Sequence, residues 1–311
     1  MSSPFFVPWR RLGSVINCAM PVNKILLHLA KSRVLKSIFS KAMPRVAYVQ
    51  FPSGEHLAID THDIRGPSFH MAQGWKNPDV SFNSYEPAQR AAVESFLREK
   101  SKDGAGLYFL DVGANIGIFT LSAKRALPAL SIAAFEPHPI SALCLRETVR
   151  KNNFRGILVE RLALADSTCK MGLHLDESDS GGHSLLASNL WNNRKVTTTM
   201  KVFVDKLDHW VAEHKIPSVD FIKMDVQGGE DAALLGGLKT LEKFRPGLLV
   251  EVQHEAVVED DSVIATLRKL PFKYKVRCMD GQTGTYEDLK EWSAREFKKG
   301  VLFADYLFFP E

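Results

Sequence analysis

The chain has 311 residues, 45% hydrophobic and 24% charged, a globular composition long enough for one sizeable core, since domains near this size bury about three quarters of their unfolded surface. Its net charge of +4 is unevenly placed: Arg10, Arg11, Lys24, Lys31, Arg33, Lys36, Lys41 and Arg45 fall in residues 1–54, where no acid occurs. The remaining body holds more acids than bases, which argues against a basic nucleic-acid groove there, and no apolar run reaches the roughly 18 residues of a spanning helix.

Residues 1–45 form a basic arm with one expected helix. Pro21 and Pro44 bracket a segment in which Leu27, Ala30, Val34 and Ile38 recur at helical spacing. Three readings of the arm compete: a helix packed on the body, a peripheral anchor on an anionic membrane surface, or a cleaved organelle-targeting peptide. No long apolar core follows Arg10-Arg11, so a secretory signal is disfavoured, and the protein is expected in the cytoplasm, free or at a membrane surface. Cys18, Cys144, Cys169 and Cys278 form no C-x-x-C pair; zinc-ligand spacing is absent, and free thiols in a reducing compartment are the plain reading.

Residues 46–84 read as a hairpin and an irregular lead-in. Val46, Tyr48 and Gln50 alternate with Ala47, Val49 and Phe51, and Pro52-Ser53-Gly54-Glu55 makes the turn. Segment 61–84 is rich in turn formers. Tyr85-Glu86-Pro87 then opens a helix with proline in its first turn, and the main domain runs from 85 to 311. Strands are expected near 107–111, 131–135, 157–161, 219–224 and 247–252, alternating with helices, the pattern of a parallel sheet covered on both faces. Segment 167–204 interrupts this alternation as a hairpin-like insertion, either a solvated loop or a lid over the site. One helix is expected over 231–241, and two final strands, read as antiparallel, over 273–277 and 301–309.

The most informative stretch is Leu110-Asp111-Val112-Gly113-Ala114-Asn115-Ile116-Gly117. An apolar strand ends in an acid, breaks into a glycine turn and passes at once into a helix. Glycines let the backbone approach a ligand, and the helix start offers free N–H groups. The spacing is D-x-G-x-N-x-G rather than G-x-G-x-x-G, so the middle glycine that admits a dinucleotide pyrophosphate is missing. A compact zwitterionic tail, such as that of S-adenosylmethionine, fits better. Glu136 ends the next strand 25 positions after Asp111, close to the separation at which a carboxylate meets a ribose diol.

With Phe135-Glu136-Pro137, Ala163-Leu164-Ala165-Asp166 and Asp220-Phe221-Ile222-Lys223-Met224-Asp225-Val226-Gln227-Gly228-Gly229-Glu230, the chain resembles FkbM-type methyltransferases, class I enzymes using S-adenosylmethionine. The likeness runs from about Tyr85 to the C-terminus; Gln227 stands where the family often has Glu, and Ala165 where it often has Gly. It implies an α/β, Rossmann-like domain with a mostly parallel seven-stranded sheet, helices on both faces and an antiparallel C-terminal strand. It also implies O-methylation of a hydroxyl on a sugar, glycolipid or secondary metabolite. Asp111, Gly113, Asn115, Gly117 and Glu136 are the expected cofactor residues, and Asp166 joins them through the resemblance.

Methyl transfer from a sulfonium needs alignment more than acid–base strength. Positioning can supply roughly 7–11 kcal/mol, against about 10²–10⁴-fold from a general base. Lys223 and Asp225 share a face of the fourth strand, and Asp225 or Glu251 is the expected partner of the lysine. Asp225 at the strand's C-terminal end, Glu251 at the fifth strand's end and His254 beside it are the catalytic candidates, with His183 of the insertion a lesser one. Glu230 either lines the site or caps the following helix. Asp225 and Glu251 alone are thin support for a metal, and none is expected. The chain has no Pro-Pro pair, so it lacks the Asn/Asp-Pro-Pro-aromatic turn of many amino methyltransferases, and oxygen is favoured as acceptor atom. The expected partner is a small-molecule or glycan acceptor, with no DNA; RNA is supported only by the basic arm. A nicotinamide oxidoreductase, a non-catalytic cofactor-binding or membrane-associated protein and an RNA methyltransferase are the competing readings.

Overall fold

The computed structural model describes residues 44–63, 65–73, 77–102, 106–176, 179–186, 198–260 and 262–311. The helix expected in the basic arm lies outside these residues. In chain order, β1 (Val46–Gln50) and β2 (His56–Asp60) pair as a hairpin, followed by α1 (Pro67–Gln73), α2 (Pro78–Ser84) and α3 (Pro87–Ser101). Then β3 (Tyr108–Val112), α4 (Ile118–Ala126), β4 (Ser131–Phe135), α5 (Pro139–Lys151) and β5 (Ile157–Glu160) alternate. After β6 (Ala163–Leu164), β7 (Cys169–Leu175), a short turn of 3-10 helix (Ser180–Gly182) and β8 (Thr198–Asp205) come α6 (Leu207–Glu213), β9 (Phe221–Met224), α7 (Glu230–Leu235), α8 (Leu238–Phe244) and β10 (Gly247–Gln253). The chain finishes with α9 (His254–Asp260), α10 (Ser262–Leu267), β11 (Tyr274–Cys278), β12 (Thr283–Gly284), α11 (Tyr286–Lys298) and β13 (Phe303–Pro310).

The central sheet has the order β12-β11-β13-β10-β9-β3-β4-β5. From β10 to β5 the pairing is parallel, whereas β13 runs antiparallel between β10 and β11. This is the α/β, Rossmann-like sheet with an antiparallel C-terminal strand, and the two-residue β12 adds an eighth strand at the edge. Both faces are covered. Leu110, Val112, Phe135, Ile222, Met224 and Val250 pack with Trp210 on one side; Phe109, Ile132, Phe221 and Leu249 pack with Val93, Leu97 and Phe119 of α3 and α4 on the other. Strands buried on both faces read as continuous apolar runs, which is why Asp111 and Lys223, paired in register across β3 and β9, stand out.

Two expectations are corrected. Segment 61–84 is not irregular: α1 and α2 each begin at a proline, which presets helical φ, and Met71 and Phe82 are buried with Phe51, Leu57 and Ile118. The helix expected over 231–241 is two helices, parted at Gly236-Gly237. A Cβ at Gly236 would lie 2.0 Å from the Ala165 carbonyl oxygen, so the chain bends there around the end of β6. Within 167–204, β7 and β8 pair antiparallel and β6 joins them in a separate small sheet. Among the described residues no helix is long and apolar enough to cross a membrane.

Candidate active site

The C-terminal ends of β10, β9, β3 and β4 open side by side onto a cavity of about 750 Å³, the sheet edge at which open α/β proteins bind ligands. The β3–α4 turn forms its floor. Gly113, Asn115 and Gly117 all have positive φ, of 75°, 49° and 91°. A Cβ at Gly113 would fall 1.8 Å from the Asp225 carbonyl oxygen, so only glycine lets the turn pass the end of β9. The N–H groups of Gly113 and Ala114 both reach the Phe135 carbonyl at 3.0 Å.

Glu136 is tied to this turn. One carboxyl oxygen accepts from Asn115 N at 2.8 Å and the other from His138 N at 2.7 Å. Burial pushes the carboxyl up to about 7 against those two donors. Each oxygen keeps a lone pair, and the side chain is on the cavity wall. Asp166 is also on the wall and exposed.

A second polar group lies on the β9–β10 side. Lys223 Nζ donates to the Gly113 carbonyl at 3.0 Å and to Asp225 Oδ2 at 3.4 Å. Gln227 Nε2 donates to Asp225 Oδ1 at 2.7 Å and to Glu251 Oε2 at 2.9 Å. The Glu251 carboxyl is raised well above the usual range, first by burial and then by Asp225, Glu230 and Asp305. Glu230 accepts from Val226 N and Gly228 N at 2.9 and 3.2 Å, so it caps the turn; burial raises it to about 7. Asp225, Glu230 and Glu251 each place a carboxyl oxygen within 4.8 Å of the others, close enough to hold a cation, yet the Gln227 amide already bridges two of them.

Two expected site residues are displaced. Asp111 is fully buried beneath the turn, off the cavity wall. Its Oδ2 accepts from Thr120 Oγ1 at 2.6 Å, and its Oδ1 has no hydrogen-bond partner. Its register partner in β9 is Lys223. His254 is not brought to the cavity. It opens α9, its ring is wholly buried against Tyr306, and neither ring nitrogen has a hydrogen-bond partner. The strand alternation that aims Glu251 inward ends at Gln253, and the helix carries the imidazole beneath the sheet edge. His183 does reach the wall, edge-on to His138 with ring centroids 4.5 Å apart; burial holds it down at about 4.

Sequence reasoning missed Tyr85, Glu86 and Asp305. Tyr85 and Glu86 line the cavity. Glu86 has φ 44° at the start of α3, an uncommon conformation for a residue with a Cβ. Burial and the nearby Asp225 push its carboxyl up to about 7. The Tyr-Glu-Pro triplet was legible as a helix start, but nothing in it signals that the acid turns inward. Asp305 opposes Glu251 in the β10–β13 register and accepts from Gln89 Nε2 at 2.8 Å.

Residues 111–274, more than half of the chain, match the family described as the methyltransferase FkbM domain. Methyltransferase 1 of Beauveria bassiana is 27% identical over 143 residues, covering 42% of this chain and 57% of that protein. The 2-O-methyltransferase NoeI of Sinorhizobium fredii is 30% identical over 146 residues, 44% of this chain and 59% of its own length. The 31-O-demethyl-FK506 methyltransferase FkbM of Streptomyces tacrolimicus is 26% identical over 201 residues, 56% of this chain and 75% of its own. The chain thus spans under two thirds of the first two relatives.

Proposed function

We propose that this chain, which belongs to the FkbM methyltransferase family, transfers a methyl group from S-adenosylmethionine to a hydroxyl oxygen of a small-molecule or glycan acceptor. The carrying observation is the Glu136 carboxyl, bonded to the glycine turn and facing a cavity shared with Asp225 and Glu251. The residues present fit the cofactor. Glu136 has lone pairs left for a ribose diol, Asp166 offers an acceptor to an exocyclic amine, and the 113–117 turn brings backbone close to the methionine portion. When bound, S-adenosylmethionine supplies a methyl carbon on positive sulfur, which leaves as a neutral thioether.

The chain's own residues do the rest. Lys223 bonds both the turn and Asp225, joining the cofactor floor to the acidic group. Gln227 holds Asp225 and Glu251 side by side. Glu251, held beside Asp225 by the Gln227 amide and lining the cavity, takes the proton of the acceptor hydroxyl. Asp225, held by the lysine, stays an acceptor and orients the hydroxyl. Oxygen rather than an exocyclic amine is favoured because Asp225-Val226-Gln227-Gly228 occupies the place of a proline-rich turn, and two relatives named above are named for O-methyl chemistry.

Incubating the protein with methyl-labelled S-adenosylmethionine and a panel of glycans, lipids and hydroxylated metabolites tests this. Label should appear in an ether that resists mild base, one methyl group per transfer. Calorimetric binding of NAD with no binding of S-adenosylhomocysteine would overturn the reading, as would label found only on nitrogen or in RNA.

A further inference from the structure

The lead-in lies before the family-matched stretch, yet one of its side chains is linked to the glycine turn through Ser180 of the insertion. Asp63 follows β2 and is 6% exposed. Its carboxyl accepts from Gly66 N at 2.8 Å and Ser68 N at 3.1 Å, closing its own loop. It also accepts from Ser180 Oγ at 2.8 Å and Ser180 N at 3.4 Å, 117 positions away in the insertion. The Ser180 carbonyl in turn accepts from Asn115 Nδ2 at 2.8 Å, and Ser180 Oγ stands 3.3 Å from Asn115 Oδ1. Asn115 N donates to Glu136. Four distant stretches are therefore joined by one run of hydrogen bonds, Asp63 to Ser180 to Asn115 to Glu136. A Cβ at Gly66 would stand 2.7 Å from both Asp63 oxygens and from Asp179 Oδ1, so the loop is shaped closely around this carboxyl.

Asn115 has φ 49°, in the left-handed region that asparagine visits more readily than most residues and that persists where its surroundings hold it. Its own side chain satisfies Ile116 N at 2.8 Å, and Ser180 fixes the other end of that amide. Ser180 is itself held by Asp63, whose carboxyl accepts four bonds.

We propose that Asp63 is a positioning residue of the cofactor site: acting through Ser180, it orients Asn115 and so presents Glu136 to the ribose. The lead-in is then part of the donor site rather than a preceding ornament. The inference rests on the cavity being an S-adenosylmethionine site, and the experiment separates the two.

Binding of S-adenosylhomocysteine to the full chain is measured by calorimetry for wild type, Asp63→Asn, Ser180→Ala and the double variant, with melting temperatures recorded for each. Asp63→Asn keeps the shape but removes acceptor capacity, and Ser180→Ala keeps the carbonyl on which Asn115 rests. Each single change should raise the dissociation constant, Asp63→Asn by about tenfold, the order expected for losing a charged hydrogen bond. The double variant should be no weaker than the weaker single one, because both cut the same run. Equal affinities among folded proteins, or effects that add, overturn the proposal, because a merely structural role moves only the melting temperature. Should Asp63→Asn fail to fold, Ser180→Ala decides by the same criterion. A wild type that binds no S-adenosylhomocysteine overturns this proposal together with the function it rests on.

Discussion

Glu136 holds a proton unusually well for a carboxylic acid, and the consequence runs in opposite directions for folding and for binding. Its carboxyl rises from 4.5 in the unfolded chain to about 7 through burial. Between those values the native state keeps a proton that the unfolded chain has lost. Its contribution to stability is therefore fully present below 4.5 and is lost as pH rises through about 7. Glu86 and Glu230, also raised to about 7, act in the same sense. A ribose diol reverses the preference, since hydroxyl donors favour the ionised form. Affinity for S-adenosylhomocysteine should rise from about pH 6 to about pH 8 with a proton released on binding, the linkage sign of a group whose pKa falls in the complex. Glu136→Gln should weaken binding by about 1–3 kcal/mol and flatten that pH dependence. Calorimetry in two buffers of different ionisation enthalpy reads both; a pH-dependent Gln variant would place the titrating group elsewhere.

At the scale of elements, β3 and β9 meet through a buried charge pattern that two apolar strands would not otherwise tolerate. Asp111 and Lys223 are register partners, and the lysine also bonds Asp225 and the Gly113 carbonyl. Its ammonium is held well above the usual lysine range by Asp225, Asp111 and Glu86 despite burial. Removing one partner of a buried ion pair costs about 3–5 kcal/mol. Lys223→Met should lose that much, and more at pH 8 than at pH 5, because Glu86, raised to about 7, carries its charge only at the higher pH. Denaturant melts at the two pH values measure it; equal losses at both would contradict the charge argument.

The same two strands show why much of the fold was legible. Fully buried strands, a glycine turn and terminal acids carry their signal within a few residues. The elements read wrongly depend on distant partners. Phe82 of α2 packs edge-on against Phe51 at a centroid distance of 5.3 Å and lies under the Arg125 guanidinium. Neither contact is visible in a stretch of Pro, Asn and Ser. The break at Gly236 exists because Ala165 lies against it, while the apolar spacing on either side reads as continuous. His254 lies one residue past the point where strand period gives way to helix, a boundary that residue spacing does not mark.

On the scale of the whole molecule, the cavity is completed by residues outside the family-matched stretch, and the candidate site was only half legible for that reason. Glu136 and Asp225 sit in short motifs; Glu86 and Asp305 are placed by the packing of α3 against the C-terminal strand, where Gln89 reaches Asp305 across 216 positions. The C-terminal strand bears on the charge states of Glu251 and Glu86, because Asp305 is one of the carboxyls that raise each. Asp305→Asn takes away one negative charge and leaves an oxygen that still accepts from Gln89. Glu251 and Glu86 should then ionise at lower pH, since a neighbouring like charge disfavours the charged form. With any acceptor the labelled screen returns, the rising acidic limb of the methyl-transfer profile should move to lower pH. Affinity for S-adenosylhomocysteine at pH 8 should stay within about twofold of wild type, because the Asp305 carboxyl bonds Gln89 and not the glycine turn or Glu136. A limb that does not move would remove Glu251 and Glu86 from proton transfer and leave Asp225 as the group to test next; a limb that moves while cofactor affinity holds would show that the two ends of the chain tune the acceptor half of the cavity separately from the donor half.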